Sequence, residues 1–270
     1  MPWHQALSTQ VYSGHDIPAH PSFIVISDGG SLSPHMSKTA WCLQQVAFEG
    51  PGVFRRALEN AGYHVHQTIV PTEGLPPQGQ IDFLLILGGP MSVNDPDSWI
   101  AQEVRFVASA IAQGIPVVGI CFGAQLLAKV LGGTVGPGPK FEIGMVPVAL
   151  TDEGKVDPVF RDLPDSFSVF QWHGEGISLA STGLPLAASQ DFPIQAFRHQ
   201  DRVYGLLFHP EIEANNISVM CQACPQDVLR GGVSEDFLER QTQAHLPFLH
   251  QVAHRIVTHL TSLSSAPLNS

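Results

Sequence analysis

Residues 119–123 read GICFG and residues 209–211 read HPE. The first stretch puts one cysteine between two glycines, where an apolar strand pattern gives way to an apolar helix pattern. Gly119 and Gly123 allow a sharp turn that lifts Cys121 to a strained apex, exposed at the carboxyl end of a sheet. The sulfur then lies at the N-terminus of the next helix, whose partial positive charge favours the thiolate, the nucleophilic form. The backbone N–H of Phe122 points outward as well, free to stabilise an oxyanion. A buried cysteine serving as a small hydrophobe fits the same stretch, so the turn alone does not decide.

Acyl transfer by a thiolate needs a histidine to manage protons and a third group to orient that histidine. Among thirteen histidines, His209 stands apart because it follows the apolar stretch 203–208 and is trailed by Pro210 and Glu211. In an α/β domain this strand end falls on the same sheet edge as the Cys121 turn. Glu211 is close enough in sequence to accept a hydrogen bond from the imidazole. A solvated loop is the other reading of the tripeptide.

The elements that would position these residues alternate along the chain. Strands are expected at residues 40–46, 63–70, 81–87 and 115–120, helices at 53–61, 98–113 and 123–131, and a loop at 71–79. The first helix gathers Val53, Phe54, Ala57 and Leu58 on one face, and the second offers Trp99, Val104, Val107 and Ile111 for burial. The nearly continuous apolar run 81–87 is the mark of a strand buried on both faces of a parallel sheet. Shorter strands follow at 140–150, 167–171, 186–189, 195–199 and 203–208, and residues 233–263 read as helical. A doubly wound, mostly parallel α/β domain with added antiparallel strands is expected. Its span is 39–263, between an extension at 1–38 and a tail at 264–270. The extension is expected to be loose, with strand character only at 23–27, and Met36 stands where a start codon would directly precede the first strand.

Composition excludes other classes. A net charge of −11 with only 13 Lys and Arg leaves no basic surface for nucleic acid. No apolar run reaches the ~18 residues of a bilayer span, and residues 1–20 lack the basic start and apolar centre of an export signal. Neither a membrane nor nucleic acid is expected as a partner, and a cytoplasmic location is. Cys42, Cys121, Cys221 and Cys224 are too few for a disulfide framework. The lone C-x-x-C at 221–224 lacks the second pair of a structural zinc site, so no metal and no cofactor are expected.

Taken in order, LGGP at 87–90, GICFGAQ at 119–125 and HPE at 209–211 resemble the class I glutamine amidotransferases. The likeness is nearest to the amidotransferase domain of GMP synthase and its free-standing relatives, which include the plant γ-glutamyl peptidases. FEGPG at 48–52, GPMSVN at 89–94, FQWHGE at 170–175 and QAF at 195–197 agree with it. The resemblance implies the flavodoxin-like fold of that family, with Cys121 as nucleophile, His209 as proton carrier and Glu211 as its orienting acid. The N–H groups of Gly89 and Phe122 would form the oxyanion hole. Gln125, His173 and Glu175 would contact substrate, although many relatives carry Asp at the last position. Residues 218–232 have no counterpart in the family pattern, and no ATP pyrophosphatase domain is visible.

The implied reaction is cleavage of glutamine, through a γ-glutamyl thioester, to glutamate and ammonia, with a separate ammonia-accepting synthetase as a candidate partner. A γ-glutamyl peptidase and a non-catalytic regulatory subunit remain alternatives. An α/β-hydrolase with cysteine in its elbow is disfavoured because the acid follows the histidine here.

Overall fold

The structure, a computed structural model, describes residues 38–77 and 79–263. The expectations for residues 1–37, including the strand at 23–27 and the start at Met36, lie outside the described residues, as does the tail.

Among the described residues nine strands form one sheet in the order β2-β1-β3-β4-β9-β8-β7-β5-β6. Its parallel half consists of β1 (Lys38–Gln44), β2 (Tyr63–Ile69), β3 (Phe83–Ile86), β4 (Val117–Ile120) and β9 (Val203–Leu206). Both β3 and β4 are buried at every residue, as expected of strands covered on both faces. The antiparallel half adds β5 (Thr134–Leu150), β6 (Ser166–Ser178), β7 (Leu184–Ala188) and β8 (Ala196–His199).

Helices cover the two faces. On one, α1 (Gly52–Asn60) packs beside the C-terminal α9 (Leu246–Leu263). All four residues expected on the apolar face of α1 are buried. On the other face lie α3 (Ser98–Ala112) and α4 (Phe122–Val130), over Leu84, Ile86 and Val117. The buried stripe of α3 is Ile100, Glu103, Val107 and Ala110. Of the four residues expected there, only Val107 is fully buried, while Trp99, Val104 and Ile111 flank the stripe half-covered. The turn is set by Glu103, a polar residue drawn inward by a partner elsewhere in the chain.

Several segments differ from expectation. Val70, expected to end a strand, and residues 71–73, expected as loop, make the single turn α2 (Val70–Glu73), and a second short helix, α5 (Asp152–Val156), is capped by the Thr151 hydroxyl. Strand β5 starts at Thr134, ahead of the expected residue 140, because Thr134 to Pro137 pair with Ser178 to Glu175 across the sheet. The unplaced stretch 218–232 falls in α6 (Ala214–Ala223) and α7 (Pro225–Gly231). The helical region 233–263 divides into α8 (Glu235–Gln243) and α9.

Candidate active site

Four loops meet at the carboxyl ends of the parallel strands, where ligands bind in open α/β sheets. They follow β1 (residues 45–51), β3 (87–97), β4 (Cys121) and β9 (207–213).

Cys121 follows the last residue of β4 and caps α4. Its backbone has φ 48°, the left-handed region that a side chain enters only under constraint. The constraint is visible on both sides. The Cys121 N–H donates to the Leu206 carbonyl of β9 at 2.8 Å, and the Cys121 carbonyl accepts the first bond of α4 from Gln125 N–H at 3.0 Å.

The flanking glycines serve close approach. A methyl on Gly119 would overlap the Gly123 carbonyl, and one on Gly123 would overlap the Ile86 carbonyl at the end of β3. No larger residue fits without moving backbone, so the elbow and the strand before Gly88 are locked together. The thiol is less open than expected, with Cys121 only 6% exposed. Strand β6 passes over it, and the sulfur is 3.7 Å from the Trp172 carbonyl to which it can donate.

His209 is anchored from β6 by its N–H to the Phe170 carbonyl, 2.9 Å. Its Nδ1 lies 2.7 Å from Glu211 Oε1, and both residues are buried. With Glu211 accepting at Nδ1, Nε2 is left for the thiol. That nitrogen is buried, with Cys121 as its neighbour. Burial disfavours the imidazolium, but the charge of Glu211 and the neighbouring Cys121 outweigh it, and the His209 pKa is held well above the usual histidine range.

As the first helical residue, Phe122 has no acceptor for its N–H within α4. Gly89 sits three residues beyond Ile86, where a methyl would press on Gln45 Cβ at 2.8 Å. Gln45 Nε2 in turn donates to Glu103 Oε1 at 3.0 Å, within a fully buried pair behind the Gly89 loop. This explains the inward turn of α3.

Burial, opposed by the Gln45 hydrogen bond, raises the Glu103 pKa to about 7. A carboxyl raised on folding contributes its full stability below about pH 4.5 and loses it as pH rises through about 7. Glu103→Gln should therefore match wild type at pH 4 and exceed it at pH 8 by up to about 3 kcal/mol. Urea unfolding at the two pH values measures this, and an equal offset at both would refute it.

Glu175, Gln125 and His173 are brought together. The Glu175 carbonyl lies 3.3 Å from Gln125 Nε2 and 3.2 Å from His173 Nδ1, and its Oε1 accepts from the Ser92 hydroxyl at 3.0 Å. His173 Nε2 is 3.3 Å from Glu142 Oε2. Both ring nitrogens of His173 thus face protein groups, and the residue holds the Glu175 segment in place. Glu142 is itself fixed by Gln195 and Ser189 at 2.8 and 3.0 Å, and Gln171 bonds to Gln195 at 2.6 Å. His173 apart, neither this buried network nor the β1–α1 loop has a role assigned from sequence. Repeated Gln and Glu on short apolar strands was the available signal.

The β1–α1 loop closes the site from beneath. A methyl on Gly52, which has φ 45°, would overlap the Glu211 carbonyl, and Val53 N–H donates to that carbonyl at 3.2 Å. The FEGPG stretch therefore seats the acid of the His209–Glu211 pair.

Cys221 and Cys224 are buried free thiols, their pKa values pushed up by burial to about 11 and about 12. Among the described residues no three His, Cys, Asp or Glu side chains are grouped to hold a metal, and no helix is long and apolar enough to cross a membrane.

Comparison with known proteins gives a family match over residues 53–218, to glutamine amidotransferase class-I. The glutamine amidotransferase-like protein YfeJ of Salmonella typhimurium is 29% identical over 189 residues, 67% of this chain and 79% of that protein. A glutamine-hydrolyzing GMP synthase subunit of Ignicoccus hospitalis is 32% identical, over 62% of this chain and 87% of its own length. Against the GMP synthase of Thermomicrobium roseum the identity is 35%, but the match spans only 27% of that longer protein. A glutamine amidotransferase crystal structure from Thermotoga maritima shares the fold, with a TM-score of 0.76, 24% identity and coverage of 84% of this chain and 99% of that one.

Proposed function

The chain belongs to the class I glutamine amidotransferases, and from that premise we propose that it hydrolyses the γ-amide of glutamine through a thioester on Cys121. The observation that carries this reading is one sheet edge holding both a strained cysteine elbow and a buried His209–Glu211 pair 2.7 Å apart.

In the proposed cycle His209 takes the thiol proton and the Cys121 thiolate attacks the amide carbon. The resulting oxyanion is met by the N–H groups of Phe122 and Gly89. The imidazolium, favoured by Glu211, gives its proton to the departing nitrogen, and ammonia leaves with the γ-glutamyl group bound to sulfur. His209 then takes a proton from water as the water attacks the thioester, releasing glutamate and restoring the thiol. Gln125 and Glu175 border the place where the amino-acid end of the substrate would lie. A separate synthetase is the proposed destination of the ammonia, because one relative is named as one part of a GMP synthase.

The reaction is tested by offering glutamine and γ-glutamyl peptides separately to the wild-type chain and to Cys121→Ala, with ammonia and free amine as readouts. Turnover of glutamine is expected, with a loss of at least about a thousandfold in Cys121→Ala. Faster turnover of γ-glutamyl peptides would transfer the reading to a peptidase, and equal activity in the variant would end it.

A further inference from the structure

Glu49 lies in the β1–α1 loop, one turn before the glycine that seats Glu211. Although the residue as a whole keeps some solvent exposure, its Oε2 is shut off from solvent and has no hydrogen-bond partner among the described residues. A buried carboxyl oxygen left unpaired is costly and calls for an explanation.

Its surroundings supply one. A methyl on Gly88 would overlap Glu49 Oε2 and would approach His209 Cε1 to 3.1 Å, so the carboxyl and the imidazole share the space beside Gly88. Cε1 lies between the two ring nitrogens, where an imidazolium carries much of its positive charge. Glu211 already occupies Nδ1. Glu49 therefore lies on the Gly88 side of the ring, toward Cε1, away from the Nδ1 that Glu211 occupies.

We propose that Glu49 is a fourth member of the catalytic cluster, a positioning residue whose charge, acting on the Cε1 edge of His209, sets the stability of the thiolate–imidazolium pair. This rests on the thiolate reading given above. Ionised, Glu49 favours the imidazolium; protonated, it withdraws that support. The groups that face it are His209 and Glu211 from the loop after β9, Asp227 from α7 and Cys224 from the α6–α7 junction. Burial, helped by Glu211 and Asp227 and opposed by His209, raises the Glu49 carboxyl to about 7. Its charge thus changes within the neutral range, and the unplaced stretch 218–232 contributes to that tuning through Asp227. Asp227 is held in turn by Trp172 Nε1 at 3.2 Å, on the strand that covers the nucleophile.

The test is the pH dependence of Cys121 alkylation by iodoacetamide, mapped by mass spectrometry, from pH 5 to 10. Wild type should show an inflection near neutrality in addition to those of the Cys121–His209 pair. Glu49→Gln, which keeps shape and loses charge, should lack it. The alkaline transition of the variant should also move down by about one pH unit, a tenfold change in the imidazolium equilibrium. With glutamine, the loss should fall on kcat and leave KM near wild type. A Glu49→Gln profile that superimposes on wild type would overturn the proposal. Should that variant fail to fold, Glu49→Asp is read the same way: its shorter carboxylate should lower the alkaline transition by a smaller amount, and no movement would count against us. Alkylation needs no substrate, so absence of glutamine turnover would refute the proposed reaction while this profile still decides the role of Glu49.

Discussion

His209→Asn is expected to lower kcat for glutamine by at least about ten-thousandfold, with KM within about threefold of wild type. The imidazole Nε2 is left for the thiol, while Nδ1 is committed to Glu211 at 2.7 Å. Asparagine can keep a hydrogen bond to Glu211 but has no basic nitrogen to take the thiol proton or return it to ammonia. Both the attack and the departure are therefore lost, and binding, which depends on other groups, is largely kept. The Cys121→Ala, His209→Asn double variant should be no slower than either single variant, because in the proposed cycle the two residues act as one unit. The substitution also leaves the buried Glu211 without its cationic partner, so thermal unfolding is to be followed alongside ammonia release. A folded His209→Asn chain with a tenth of wild-type activity would exclude His209 as the proton carrier.

The sequence made His209 and Glu211 legible because their signal is local: an apolar strand, its end, and a carboxylate two residues on. The same holds for the parallel half of the sheet. Strands β3 and β4 are uninterrupted apolar runs, and α1 shows its buried face in a single turn of periodicity. The first four residues of β5 were lost among the Gly and Pro of residues 136–139, because their strand character comes from pairing with β6 some forty residues away. Helix α6 buries only Ile217, Met220 and Cys221, too sparse a stripe to stand out.

Polar residues with distant partners were the hardest to place. Glu103 lies on a helix that otherwise reads as amphipathic, and nothing within it announces the Gln45 amide that draws it inward. Gln195 is visible only as part of the QAF motif, and Glu142 carries no signal of its own, until the antiparallel strands bring the two within 2.8 Å. Glu49 and Gly52 were visible as a motif, but their role depends on Gly88 and Glu211, in loops that only the folded sheet brings together.

Gly123→Ala is expected to cost about 3 kcal/mol or more in stability and to lower kcat by about a hundredfold in the protein that remains folded. Helix propensity alone points the other way, since alanine in place of a helical glycine stabilises by about 1 kcal/mol. Contact decides the sign. The added methyl would overlap the Ile86 carbonyl and stand 2.9 Å from Ile86 Cβ, and neither backbone can yield without shifting β3 against α4. That shift moves Gly89, three residues beyond Ile86, relative to Phe122 and Cys121, and so separates the two N–H groups proposed to hold the oxyanion. Gly136→Ala is the control, because a methyl there meets none of the described residues within 4 Å and the backbone is not left-handed. It should change stability by less than about 0.5 kcal/mol. Denaturant unfolding together with glutamine turnover distinguishes the outcomes. If Gly123→Ala proved as stable and as active as the control, the two glycines around Cys121 would be incidental to the elbow, and the strain at Cys121 would need another source.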